Sequence, residues 1–296
     1  GHWFDGDGML HIVGFRDGKA FYRNRFVRTD GFDEENRAGG PLWPGIAEPV
    51  ELARVDHGWG ARTLMKDASS TDVVVHRGME LTSHYQCGDL YRTDPCTGAA
   101  LGKEDWHGGF PSDWGVSAHP KVDERTGELL YFSYSKQSPY LRYGVVSADG
   151  DVVHRTDVPL PGPRLPHDMA FTDNYVIFND FPLFWDPAFL EHNVHLPRFH
   201  RDIPSRFAVL PRRGDTSQIR WFEADPFGPV VLAPDELVAL RHLAEGGRPD
   251  TLAEALGGTT EAALDVLSRL YTTMDASSWY EAVARGWGLG LIGSGR

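Results

Sequence analysis

Cysteine is nearly absent from this chain of 296 residues, which holds only Cys87 and Cys96. Two thiols cannot build a disulfide framework, so a reducing, cytoplasmic setting is the expectation, with one pairing across a hairpin as the alternative to two idle thiols. No apolar run approaches the roughly 20 residues that cross a bilayer, and no transmembrane segment is expected. Basic residues are in deficit: 29 Lys and Arg stand against 42 Asp and Glu, a formal net charge of −13. So acidic a chain has no overall electrostatic reason to seek nucleic acid. His-x-x-x-His and Cys-x-x-Cys spacings are missing, which removes the common zinc motifs. The chain begins Gly1-His2-Trp3-Phe4, without an initiator methionine. A true N-terminus upstream is therefore expected, and the lack of a signal peptide carries little weight.

What is present is turn chemistry. Gly 33 and Pro 20, with 41% hydrophobic and 24% charged residues, suit a soluble, turn-rich β fold. Met9–Phe15 and Lys19–Arg28 flank Asp17-Gly18, and Val73–His76 and Glu80–Gln86 flank Arg77-Gly78. Both read as hairpins. Leu129–Tyr134, Tyr140–Val146 and Val152–Val158 follow, with Asp149-Gly150 as a third turn. Val176–Asn179, Arg206–Leu210 and Gln218–Phe222 complete the strand pattern. Short strands at this spacing leave a sandwich, a barrel or a propeller open.

From Leu232 the period changes. Leu237, Leu240, Leu243 and Ala244 recur at helical spacing, and Gly246-Gly247 ends that helix. A second, Thr251–Leu256, stops at Gly257-Gly258. Thr259 or Thr260 can cap a third, with Leu264, Leu267 and Leu270 inward, and Ser277 or Ser278 a fourth. The expected domains are residues 1–226 and 232–292, joined by a Gly/Pro junction at 227–231.

Most of the 13 histidines take a plain reading. His76, His84 and His154 sit in strand patterns, where a satisfied or solvent-facing imidazole is common. His192, His195 and His200 lie in a Pro-rich loop beside Arg198 and Arg201. Two differ. Ser117-Ala118-His119-Pro120-Lys121-Val122-Asp123 and Pro163-Arg164-Leu165-Pro166-His167-Asp168-Met169-Ala170-Phe171 each place a histidine just ahead of a strand, with proline fixing the backbone beside it. Spacing alone leaves ligand and structural histidine both open.

With His2-to-Met9, Ser205-to-Arg212 and Trp221-Phe222-Glu223-Ala224-Asp225-Pro226, these segments occur in an order that resembles the carotenoid-cleavage oxygenase family, over residues 1–226. The resemblance implies a partial, incomplete β-propeller followed by a small all-α domain. It implies Fe(II) held by four histidines, and O2-dependent cleavage of a C=C bond in a carotenoid, apocarotenoid or stilbene-type substrate. By that resemblance His119 corresponds to the first iron ligand and His167 to the second. The third is expected soon after Pro226, where the chain reads Phe227-Gly228-Pro229-Val230-Val231-Leu232, and the only later histidine is His242. The chain thus reads as truncated, with two of four ligands. The resemblance also implies carboxylates that hydrogen-bond and orient such ligands, and one would fall near Gln86 and Asp89.

The tail resembles a LuxR-type helix-turn-helix in Leu232-to-Glu236, Leu252-to-Leu256, Leu267-to-Tyr271 and Glu281-to-Arg285. The resemblance places the DNA-reading face at Leu264, Asp265, Val266, Thr272 and Thr273, with Arg269 the one basic candidate nearby. Residues 232–292 hold four Arg, no Lys and nine Asp or Glu, a net charge of −5, so DNA binding is not expected. A LuxR-like regulator with a ligand-sensing β domain, and an inactive fused or truncated product, are the rival readings. An incomplete propeller also predicts an exposed apolar face, and hence an oligomer or aggregation.

Overall fold

The computed structural model describes residues 4–46, 48–56, 65–86, 88–110, 115–185, 187–191, 197–200, 202–224, 232–289 and 291–292. Two compact units divide the chain, Gly1–Phe227 and Gly228–Arg296.

The first unit opens with β1 (Met9–Arg16) and β2 (Lys19–Phe26), paired antiparallel from Met9↔Phe26 to Arg16↔Lys19. Asp17 and Gly18 turn the hairpin at φ 52° and 71°, the left-handed pair that a two-residue Asp-Gly turn requires. Helix α1 (Asp30–Ala38) follows, capped by the Thr29 hydroxyl, which accepts from the Phe32 N–H. The sequence pattern does not announce this helix, because Gly31 and its acidic residues leave it little apolar stripe.

Three four-stranded sheets come next. The first is β3 (Asp72–His76), β4 (Met79–Ser83), β5 (Tyr91–Thr93) and β6 (Ala100–Lys103). The second is β7 (Lys121–Asp123), β8 (Glu128–Tyr134), β9 (Leu141–Val146) and β10 (Val152–Asp157). The third starts with β11 (Met169–Phe171) and β12 (Tyr175–Asp180). It then detours through β13 (Leu183–Trp185), helix α2 (Pro187–Leu190) and β14 (Pro197–Phe199), and resumes with β15 (Ser205–Pro211) and β16 (Arg220–Ala224). All ladders are antiparallel between chain neighbours, with β12 pairing β15 across the detour. The three-residue strands are too short to show alternation in sequence, which is why the longer strands alone are legible there.

Burial in β8 shows how the sheets stack. Leu129 and Tyr131 join Leu81, Leu90 and Trp106 in one cluster, while Leu130, Phe132 and Tyr134 join Met169, Val176, Phe178 and Leu210 in another. Alternate side chains of one strand thus fill two interfaces, so the second sheet lies face to face between the other two. Four-stranded meanders stacked in this way are propeller blades. Polar ties reinforce the stack. The ring N–H groups of His76 and His154 donate across to the Gly127 and Gly214 carbonyls at 3.1 Å each. Tyr143 donates its hydroxyl to the Arg212 carbonyl at 2.9 Å. The first hairpin keeps its outer face open: Val13, Phe15, Tyr22 and Phe26 are all exposed.

The second unit is helical: α3 (Pro234–Ala244), α4 (Leu252–Leu256), α5 (Thr260–Met274) and α6 (Trp279–Gly288). Thr259 and Ser278 cap α5 and α6, and Gly257 ends α4 at φ 63°. One expectation is corrected. Ala263, Val266, Leu267, Leu270 and Met274 face the core, whereas Leu264 is 60% exposed. A strict three-residue step drifts off a 3.6-residue helix, so the buried stripe alternates steps of three and four. Val266, placed by the resemblance on a DNA-reading face, is core. Among the described residues, no helix is long and apolar enough to cross a membrane.

Candidate metal centre

His119 stands two residues ahead of β7 and His167 two residues ahead of β11, equivalent places in successive sheets. The structure brings them together: their ring centroids lie 5.1 Å apart, with planes 86° to one another. The backbone before His119 is tightly held. Ala118, wholly buried at φ 42°, donates its N–H to the His84 carbonyl at 2.7 Å and accepts at its own carbonyl from the Ser83 hydroxyl at 2.5 Å. Left-handed backbone at a non-glycine residue is uncommon and persists where surrounding bonds enforce it.

Each ring turns Nδ1 toward an oxygen. His119 Nδ1 is 2.9 Å from Asp72 Oδ2. His167 Nδ1 is 3.5 Å from the Tyr134 hydroxyl, whose own proton goes to the Tyr85 carbonyl at 2.5 Å. Both acceptors favour the tautomer with hydrogen on Nδ1 and a lone pair on Nε2. Burial, then the neighbouring His119, hold the pKa of His167 below the ordinary imidazole value, with Asp168 opposing. A neutral imidazole with a free Nε2 is the form that binds a metal.

Nitrogens bound to one first-row ion sit about 3 Å apart, given metal–nitrogen bonds near 2.1 Å. Rings with centroids 5.1 Å apart are close enough for one nitrogen of each to meet that demand, so the pair fits as two donors of a larger set. Among the described residues, no group of three or more His, Cys, Asp or Glu side chains gathers to hold an ion.

Residues 1–230 match the family described as "Retinal pigment epithelial membrane protein". The chain belongs to this family. A carotenoid 9,10(9',10')-cleavage dioxygenase 1 of Pisum sativum is 34% identical, over 75% of this chain and 43% of the relative. The crystal structure of a Pseudomonas brassicacearum lignostilbene dioxygenase superposes with a TM-score of 0.62 at 31% identity, covering 75% of this chain and 45% of that one. A cobalt-substituted Synechocystis apocarotenoid oxygenase gives 0.60 at 26% identity, over 76% and 48%. The chain spans about half the length of the relatives it matches, and the helical unit falls outside the matched family segment.

The remaining site candidates settle elsewhere. Asp89 pairs with Lys103 at 2.9 Å, and Gln86 is buried with its carbonyl oxygen 3.4 Å from the Tyr85 hydroxyl. The carboxylate on His119 is Asp72, which the sequence reading did not single out. The available signal was positional: Asp72 opens the first strand of its sheet, close to the place where His119 and His167 precede theirs. His84 is neither satisfied nor solvent-facing. It is buried, its Nδ1 has no partner among the described residues, and burial with nearby Lys66 lowers its pKa to about 4. His200 stacks on Phe184 with centroids 4.2 Å apart, whereas His192 and His195, like the 227–231 junction, lie outside the described residues. Cys96 is free and exposed; Cys87 also lies outside them. In the helical unit His242 bonds the Thr251 hydroxyl at 2.9 Å. Arg269, the DNA candidate, is held by Asp235 at 2.5 Å and Asp265 at 3.1 Å.

Proposed function

We propose that residues 1–226 carry half of a non-haem Fe(II) centre, with His119 and His167 as two of its four imidazole ligands. The observation that supports it most is the near-perpendicular pair of rings, 5.1 Å apart, at equivalent places in two successive blades. Neutral imidazoles bind Fe(II) without cancelling its charge, and a histidine-only set leaves positions for O2. When bound, the iron would supply activation of O2 for cleaving a C=C bond.

The protein's own part is to orient the rings and to receive an apolar substrate. A cavity of about 290 Å³, lined by Trp43, Ile46, Met65, His84 and Tyr85 among others, is tied to His167 by hydrogen bonds: the Tyr85 carbonyl accepts from the Tyr134 hydroxyl, whose oxygen lies 3.5 Å from His167 Nδ1. Phe4, Trp43, Ile46 and Met65 give it apolar surface for one end of a polyene or stilbene-type molecule, beside the charged groups of Asp5, Glu35, Glu48 and Lys66. The names of the relatives, a carotenoid dioxygenase and a lignostilbene dioxygenase, point to the same substrate class. The free Cys96 fits the reducing, cytoplasmic setting.

The test is anaerobic titration of the metal-free chain with Fe(II), followed by exposure to an apocarotenoid or a stilbene in oxygen. With two of four ligands, binding should be weak and turnover slow, and both should vanish in His119→Ala and His167→Ala. Iron uptake equal in the wild type and both variants would sink the proposal. Stoichiometric iron that survives dialysis would show instead that the ligand set is completed.

For residues 232–292 the reading is a LuxR-like helical module that does not bind duplex DNA. Its support is the commitment of Arg269 to two carboxylates in a unit of net charge −5.

A further inference from the structure

We infer that Asp72 is a positioning residue for His119: its carboxylate fixes the imidazole with hydrogen on Nδ1, so that Nε2 is presented as the donor. The inference rests on the metal reading above for its purpose, but the tautomer it predicts exists without any metal.

Three observations carry it. Asp72 Oδ2 lies 2.9 Å from His119 Nδ1, the shorter of the two Nδ1 contacts at the centre, Tyr134 to His167 being 3.5 Å. Asp72 is itself held, because Oδ1 accepts from the Val73 N–H at 2.8 Å. That leaves Oδ2 for the ring. Finally, one backbone network locks both partners. Asp72 pairs with Ser83 across β3 and β4, and the Ser83 hydroxyl bonds the Ala118 carbonyl while the next residue, His84, accepts the Ala118 N–H. Asp72 and His119 are thus referenced to the same two residues. A carboxylate has no proton to give at neutral pH, so it can only accept, which selects the Nδ1–H form. Outer-sphere carboxylates of this kind orient metal-binding imidazoles and raise their basicity.

Imidazole 15N shifts of the metal-free full chain at about pH 8, where an ordinary imidazole is neutral, read the tautomer directly, with His119→Gln identifying the signal. The expected result is an Nδ1–H ring in the wild type. Asp72→Asn should move it toward Nε2–H, since an amide can donate to Nδ1, and Asp72→Leu should leave a mixture. A tautomer unchanged in both variants overturns the inference. Co(II) affinity, measured by calorimetry on the same proteins, is the second readout. Asp72→Leu should bind about 10–100-fold more weakly, and Asp72→Glu should recover part of that loss. Equal Co(II) affinity in wild type and Asp72→Leu also counts against Asp72. Absence of Co(II) binding in the wild type would instead fault the metal reading, and the tautomer measurement would still decide the role of Asp72.

Discussion

Arg212 of the β unit and Arg269 of the helical unit each make two short bonds to carboxylates. Arg212 reaches Asp123 at 2.6 Å and Glu128 at 2.8 Å with its side chain 9% exposed. Arg269 reaches Asp235 at 2.5 Å and Asp265 at 3.1 Å with its side chain 41% exposed. The contacts are alike, but the solvent around them is not. In the β unit charged and polar groups are enclosed between sheets, so removing one partner strands the other away from water. In the helical unit the core is largely aliphatic, and the two short Arg269 pairs lie outside it, where water replaces whatever is lost; buried Glu236, 4.0 Å from Arg269, keeps the Thr273 hydroxyl as a partner. Pairing by itself therefore says little about stability; enclosure decides.

The sharpest way to break this comparison is to truncate both arginines. Arg212→Met should cost about 3 kcal/mol in urea unfolding, because Asp123 stays buried with only the exposed Arg125, 3.8 Å away, as a cation. Arg269→Met should leave the urea midpoint almost unmoved. Equal shifts would mean that enclosure is not what separates the two units.

Acid should expose the same contrast through His84. In the unfolded chain its imidazole titrates near the ordinary value, whereas in the fold burial holds it at about 4. The unfolded state therefore binds the proton first as pH falls. Stability from this group is complete above about pH 6.5 and declines from there to about pH 4, by on the order of 3 kcal/mol. In His84→Leu the fall in stability between pH 7 and pH 4 should shrink by that amount. An unchanged acid profile in His84→Leu would show that His84 is not held neutral by the fold.

The smallest expected effect is on DNA. Binding of the whole chain to a labelled duplex should show no nanomolar, salt-sensitive component, and Arg269→Ala should change nothing. A salt-dependent isotherm lost in Arg269→Ala would show that its carboxylate partners release it.

Much of this was legible in sequence for physical reasons. The hairpins at Asp17-Gly18, Arg77-Gly78 and Asp149-Gly150 were readable because left-handed turns restrict residue type. His119 and His167 stood out because each follows or precedes proline and lies just ahead of a strand, in segments that resemble the family. Asp72 did not, because an aspartate at a strand start is ordinary until the fold shows what faces it. The unsatisfied burial of His84 was hidden for a similar reason: its local pattern is that of a strand, and only the stacking of sheets removes it from water. The inward set on α5 was half readable, since a leucine repeat gives the helix but not the phase that buries Val266 and exposes Leu264.

The detour through β13, α2 and β14 leaves its sheet intact, with β12 and β15 still hydrogen-bonded as neighbours. Each histidine sits just ahead of the first strand of its sheet, so an insertion later in the same sheet does not move it relative to that strand. Such an arrangement lets a connection within a sheet lengthen or shorten while the entry to that sheet stays where it was. In a meander of this kind, material can be added at one turn while the ladder on either side keeps its register.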